Sequence, residues 1–137
     1  MPPSVFSRII SGEEPGRFVW SDETVVGFLT IAPLSPGHTL VVPRRELDQW
    51  TDAPDALLGH CLSVAQRIGR ALKHAFDAPR AGMVIAGYEV PHLHVHVFAS
   101  WSMRDFDWSR ARPAAADELD AAAEALRSSL RLLSVSS

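Results

Sequence analysis

Three of the chain's six histidines fall within five positions: His92, His94 and His96 in VPHLHVHVFA, residues 90–99. Imidazole titrates near neutral pH and serves as base, acid, nucleophile or metal ligand. The three alternate with Leu93, Val95 and Val97. A period of two with β-branched and aromatic flanks predicts a half-buried strand, on which residues i, i+2 and i+4 share a face. Three imidazoles then point one way while Leu93, Val95 and Val97 enter the core. Four roles fit such a row: polar surface of a strand, a metal site, nucleophilic catalysis with one imidazole attacking while the others position and exchange protons, or a ligand pocket without chemistry. A single zinc ion reaches neighbouring histidines of a His-x-His strand. The outer pair, His92 and His96, lie about 13 Å apart on a straight strand, which strains a shared ion.

The elements that position this row follow from patterning. Phe6, Ile9 and Ile10 predict a short N-terminal helix, ended by the turn segment Gly12–Gly16 with Pro15. Residues 17–20 and 24–31 read as two strands across a Ser-Asp-Glu turn, and Pro33, Pro36 and Gly37 force a loop before a third strand at 38–43. A helix is predicted over 54–76, with Leu57, Cys61, Val64, Ile68, Leu72 and Phe76 in one stripe and Thr51 or Asp52 as its cap. Strands follow at 82–87 and 93–99, and a second helix at 114–133. Hairpin-length connections around one long helix predict an α+β fold: a mainly antiparallel five-stranded sheet packed with the long helix, plus short N- and C-terminal helices.

Length sets one domain over 1–137, with a core at about 4–100 and a loop plus helix at 101–137. A net charge of -3 gives no electrostatic case for nucleic-acid binding. The lone Cys61 excludes an internal disulfide and a cysteine zinc cluster, and suits a cytoplasmic setting. MPPSVFSRII lacks the basic segment and long apolar run of a signal peptide, and no apolar run approaches the ~20 residues of a membrane span.

HLHVHVF (92–98) resembles the signature of the histidine triad (HIT) family, His-φ-His-φ-His-φ-φ with φ apolar. PLSPGHTLVVPRR (33–45) resembles the segment P-x-x-x-G-H-x-L-V-x-P-(K/R) of the same family, and the order of elements is similar over about residues 4–100. The resemblance implies a nucleotide-binding fold, usually a homodimer, that hydrolyses or transfers nucleotides at the α-phosphorus. The middle histidine, His94, would be the nucleophile, forming a nucleotidyl-imidazole that water cleaves. His96 and His38 would hold the phosphate and His92 would orient the site. Main-chain N–H groups of Gly87, Tyr88, Glu89 and Val90 would meet phosphate oxygens. Phe6, Ile9, Phe28 and Ile31 match the family's base pocket, although for each alone plain core is the better reading. A purine nucleotide or similar small molecule is the implied partner. No cofactor is obligatory; zinc is an alternative that is not favoured.

The chain departs from the family at three places. Thr30 stands where an acid often bonds the ribose hydroxyls. MVIAGYEVPH (83–92) is shorter than the usual loop, with Ala86 near the expected Asn and Tyr88 at the expected Gln. Glu46 replaces a frequent histidine. A non-catalytic nucleotide-binding or regulatory protein is therefore the alternative to a phosphoramidase or nucleotidyl hydrolase. Segment 100–113, with Trp101, Trp108, Arg104, Arg110 and Arg112, reads as packing plus dimer contact, with a lid over the site as the competing role.

Overall fold

The structure, a computed structural model, describes residues 2–136. Helix α1 spans Val5–Ser11, started by the Ser4 hydroxyl, which accepts from the Ser7 N–H, and stopped by Gly12 at φ 89°. Strands β1 (Phe18–Ser21), β2 (Val25–Leu29) and β3 (Thr39–Pro43) form a meander. Helix α2 (Asp55–Phe76) crosses back, β4 (Arg80–Val84) and β5 (Val95–Ser100) follow, and α3 (Ala116–Ser136) closes the chain. The sheet order is β1-β2-β3-β5-β4, every pair antiparallel.

This matches the predicted α+β architecture with four adjustments. Strand β4 covers Arg80–Val84 rather than 82–87, because 85–87 leaves the sheet as irregular backbone. The C-terminal helix is 21 residues long rather than short. Helix α2 starts from Pro54 with no side-chain cap, so neither Thr51 nor Asp52 serves; they sit in a preceding 3-10 turn, Trp50–Asp52. Strand β5 begins only at Val95, because His92, Leu93 and His94 approach it as irregular backbone.

Both faces of the sheet are covered. Helices α2 and α3 bury one face, where Val41, Ile68, Leu72, Val95, Val97 and Leu126 meet in one cluster. Helix α1 covers the other face over Phe6, Val26, Phe28, Leu40 and Val42. Strands buried on both faces lose the polar alternation of an exposed sheet, which explains the continuous apolar runs in β2 and β3. The histidines lie within this second layer, with His92, His94 and His96 each at most 4% exposed.

Gly37 shapes the loop that delivers His38. Its φ is 87°, and a Cβ there would stand 2.6 Å from Phe76 Cε2 and 2.9 Å from Leu72 Cδ2. Gly37→Ala is expected to cost about 2 kcal/mol, through backbone strain and overpacking. A urea midpoint that drops with an unchanged m-value is the check.

Candidate active site

Hydrogen bonds fix the tautomers of the four histidines. The Leu34 N–H donates to His38 Nδ1 at 3.0 Å, so that nitrogen carries no proton. Neutral His38 then holds its proton on Nε2, which lies 3.0 Å from His96 Nδ1 and donates to it. His96 is thereby forced to carry its own proton on Nε2. That Nε2 is buried and has no hydrogen-bond partner among the described residues. A buried unpartnered donor is costly and marks a site awaiting an acceptor.

His94 has the opposite polarity. Its Nδ1 lies 2.7 Å from the His92 carbonyl oxygen, to which only a protonated Nδ1 can bond. Neutral His94 therefore presents a lone pair on Nε2. The His92 ring faces inward. Its Nε2 donates to the Pro43 carbonyl at 2.8 Å, and its Nδ1 accepts from the Ser4 hydroxyl at 2.7 Å. Glu46 ties this corner together by accepting from the Ser4 N–H and the Ser7 hydroxyl, both at 2.7 Å. The first turn of α1 is thus fastened to the backbone that orients His94.

Burial keeps the rings of His38, His92 and His96 neutral. It pushes His38 down to about 3 and His96 down to about 4, with the neighbouring His96 and His94 rings respectively adding to the effect. Burial lowers His92 as well, against opposing help from the Pro43 carbonyl and Glu46. In an unfolded chain these histidines titrate near 6.5, so between that value and their folded values the unfolded state binds more protons. Their contribution to stability is complete above about pH 6.5 and declines as the pH falls toward 4 and 3. Each of His38 and His96 is expected to cost roughly 2 kcal/mol of stability by pH 5, at about 1.4 kcal/mol per pH unit. Thermal unfolding between pH 7 and 5 measures the slope.

The HIT domain family profile matches residues 11–103. The chain belongs to the HIT family. An uncharacterised HIT-like protein of Saccharolobus solfataricus is 32% identical over 112 residues, covering 74% of this chain and 81% of that one. Among solved structures, a zinc-bound histidine triad family protein from Mycobacterium smegmatis superposes with a TM-score of 0.85 at 29% identity, covering 97% of this chain and 96% of that one. A hypothetical histidine triad nucleotide-binding protein from Sulfolobus tokodaii gives 0.83 at 25% identity, with coverage of 94% and 93%.

Around the triad of this HIT chain, Phe6 and Phe28 are buried side by side, ring centroids 5.6 Å apart, and Phe6 stands edge-on to His94 at 4.9 Å. Ile9 and Val90 pack against the same cluster, whereas Ile31 is 69% exposed in the β2–β3 connection. Thr30 follows the end of β2, its hydroxyl accepting from the Ala32 N–H at 3.3 Å. Gly87 turns the loop at φ 84°, and Tyr88 projects into solvent at 96% exposure, so it neither fills nor blocks the cluster.

Segment 100–113 folds onto the histidine face. Trp108 stands edge-on to His96 at 5.0 Å and to His38 at 6.4 Å, and Phe106 packs on Phe98 at 4.8 Å. Of the arginines in this segment, Arg110 donates to the Arg104 carbonyl and Arg112 to the Ser109 and Ala111 carbonyls. Patterning missed a cleft of about 270 Å³ in which Asp48, Gln49, Trp50, Ala86 and Tyr88 meet His94. Asp48, Gln49 and Trp50 carry no periodic signal, and only the fold brings their turn beside the 85–88 loop.

One group has metal-ligand composition: a carboxylate oxygen of Glu89 and one ring nitrogen each of His94 and His96 lie within 4.8 Å of one another. The His38 bond argues against a cation there. It places a proton on the outward nitrogen of His96, which suits an anionic oxygen and not a metal ion.

Proposed function

We propose that this protein is a nucleotide-binding hydrolase that cleaves nucleoside phosphoramidates or phosphoanhydrides at the α-phosphorus, with His94 as nucleophile. The observation that carries this reading is the bond from His94 Nδ1 to the His92 carbonyl, which turns the Nε2 lone pair toward the site. In the first step Nε2 attacks phosphorus as the bond to the leaving group breaks with its electron pair, an amine leaving as the neutral molecule with a proton taken from water. In the second, water displaces His94 and releases the monophosphate. The buried Nε2–H of His96 meets a phosphoryl oxygen as negative charge grows on it. His38 fixes the direction of that donor, and His92 holds the carbonyl that orients His94.

Recognition of the nucleotide falls to neighbouring residues. Main-chain N–H groups across Gly87, Tyr88, Glu89 and Val90 complete the phosphate cradle. Phe6, Ile9, Phe28 and Ile31 supply apolar surface for a purine, and Thr30 offers a single uncharged hydroxyl to the ribose. That shell is thinner than an acid would make it, so binding is expected to rest mainly on phosphate and base. No helix is long and apolar enough to cross a membrane among the described residues, and a buried free Cys61 accords with a cytoplasmic protein.

A homodimer through β4 completes the reading. The β1 edge is guarded by α3, from which Arg127 donates to the Phe18 carbonyl at 2.9 Å and Asp120 pairs with Arg17 at 2.7 Å. The β4 edge, with Met83 half exposed, borders an open groove along α2 lined by Gly59, Leu62, Ser63, Gln66 and Arg70. An unpaired edge beside a groove is suited to a second copy, and light scattering on a sizing column reports the mass.

The chemistry is tested by intact-protein mass spectrometry after brief incubation with adenosine and guanosine 5′-phosphoramidates, quenched at high pH where a nucleotidyl-histidine survives. A nucleotidyl-sized gain that is absent from His94→Ala supports the reading. Ligand binding with neither adduct nor monophosphate overturns catalysis and leaves a nucleotide-binding protein.

A further inference from the structure

We propose that Glu89 is the general base of the second half-reaction, taking a proton from the water that hydrolyses the nucleotidyl-His94 intermediate. The inference rests on the nucleotidyl-histidine reading above. Its own foundation is geometric. A Glu89 carboxylate oxygen lies within 4.8 Å of a ring nitrogen of both His94 and His96. Both Nδ1 atoms are committed to internal bonds, so the nitrogens left to face this carboxylate are the nucleophilic Nε2 of His94 and the donor Nε2 of His96. The Glu89 carboxylate thus borders both nitrogens without a hydrogen bond to either, placed to reach from the side a water that approaches a phosphoryl group on His94.

The site otherwise lacks a group for this proton. His38 and His96 are held neutral with their remaining lone pairs already engaged, and both are pushed far below neutrality as bases. His94 Nε2 is bonded to phosphorus in the intermediate. The hydroxyl of Ser4 is used by His92. Asp48 borders the cleft beside His94, but the group that combines a carboxylate with both His94 and His96 contains Glu89.

The step balances. The water oxygen forms its bond to phosphorus as the P–Nε2 bond breaks, and that electron pair returns to His94. One water proton passes to the Glu89 carboxylate and then to solvent. His94 keeps its Nδ1 proton on the His92 carbonyl throughout, and the product leaves as the monophosphate. Glu89 lies on an exposed loop residue, so the protonated carboxyl exchanges with bulk water without a relay.

The test uses the full chain in chelator, so that no divalent ion bridges the three groups, and follows adenosine 5′-phosphoramidate by rapid quench. Glu89→Gln is expected to retain a full burst of nucleotidyl-enzyme while hydrolysis of the adduct slows by about 10²-fold. Azide, a nucleophile with no proton to lose, is expected to restore departure of the nucleotide from Glu89→Gln, giving the phosphorazidate, while adding little to the wild type. A burst and a decay equal to those of the wild type overturn the assignment. So does a slow decay that azide does not relieve, which marks a merely structural effect. Wild-type protein that forms no adduct instead overturns the nucleotidyl-histidine reading on which this one stands.

Discussion

His94→Gly is expected to lower turnover of a nucleoside phosphoramidate by at least about 10⁴-fold, with imidazole in solution restoring part of the loss. The size follows from removing the atom that forms the covalent bond, which leaves only binding and the oxyanion donor to act. Rescue follows from burial. His94 is 1% exposed and edge-on to Phe6 at 4.9 Å, so its removal opens an imidazole-shaped space with the His92 carbonyl as a waiting acceptor. A free imidazole seated there would donate one N–H to that carbonyl and present the other nitrogen to phosphorus. Stopped-time chromatography of the monophosphate, with and without imidazole, gives the result. Loss without rescue, in a variant whose circular dichroism and unfolding midpoint stay near those of the wild type, would point to a role for His94 other than attack.

His38→Leu is expected to reduce turnover by about 10³-fold although His38 need not touch the reacting atoms. Leucine neither accepts from the Leu34 N–H nor donates to His96 Nδ1, two bonds of 3.0 Å in the native chain. Freed of that donor, neutral His96 has no reason to keep its proton on Nε2. With its Nδ1 left buried and unpaired, the His96 ring loses both its fixed tautomer and its fixed aim, and the site loses an oriented donor to the phosphoryl oxygen. His38→Asn is the informative companion, since a side-chain amide N–H reaching His96 Nδ1 would recover much of the rate. Nitrogen-15 shifts of the His96 ring report the tautomer directly. A His38→Leu protein that keeps the native tautomer and the native rate would remove the relay from the mechanism.

Much of this site was written in residue types and little of it in residue order. The alternation of His92, His94 and His96 with Leu93, Val95 and Val97 correctly separated the two faces, because side-chain direction in extended chain has a fixed period. It did not reveal that the histidine face is itself interior. Burial of that face depends on α1 and on Trp108, which reach it only through tertiary structure. Helix α2 was legible within a residue because its apolar stripe persists for six turns, whereas its start at Pro54 overrode two better capping residues upstream. The Ser4–Glu46–His92 corner joins three distant segments by single bonds. No local pattern encodes such a closure. The cleft with Asp48, Gln49 and Trp50 is invisible for the same reason, and Glu89 gained meaning only once its distance to two ring nitrogens was known.

The pairing of β3 with β5 sets Leu40 opposite His96 and Thr39 opposite Val97. A slip of one residue would carry His96 into the helix-facing core and Val97 into the histidine layer. Faulty pairing of this sheet therefore cannot yield a folded protein with a merely weakened site. Chains in the wrong pairing lose the core and the chemistry in a single error. Recovery of the buried histidine layer after denaturation accordingly counts correctly assembled molecules, and the site becomes the probe of the chain's own folding yield.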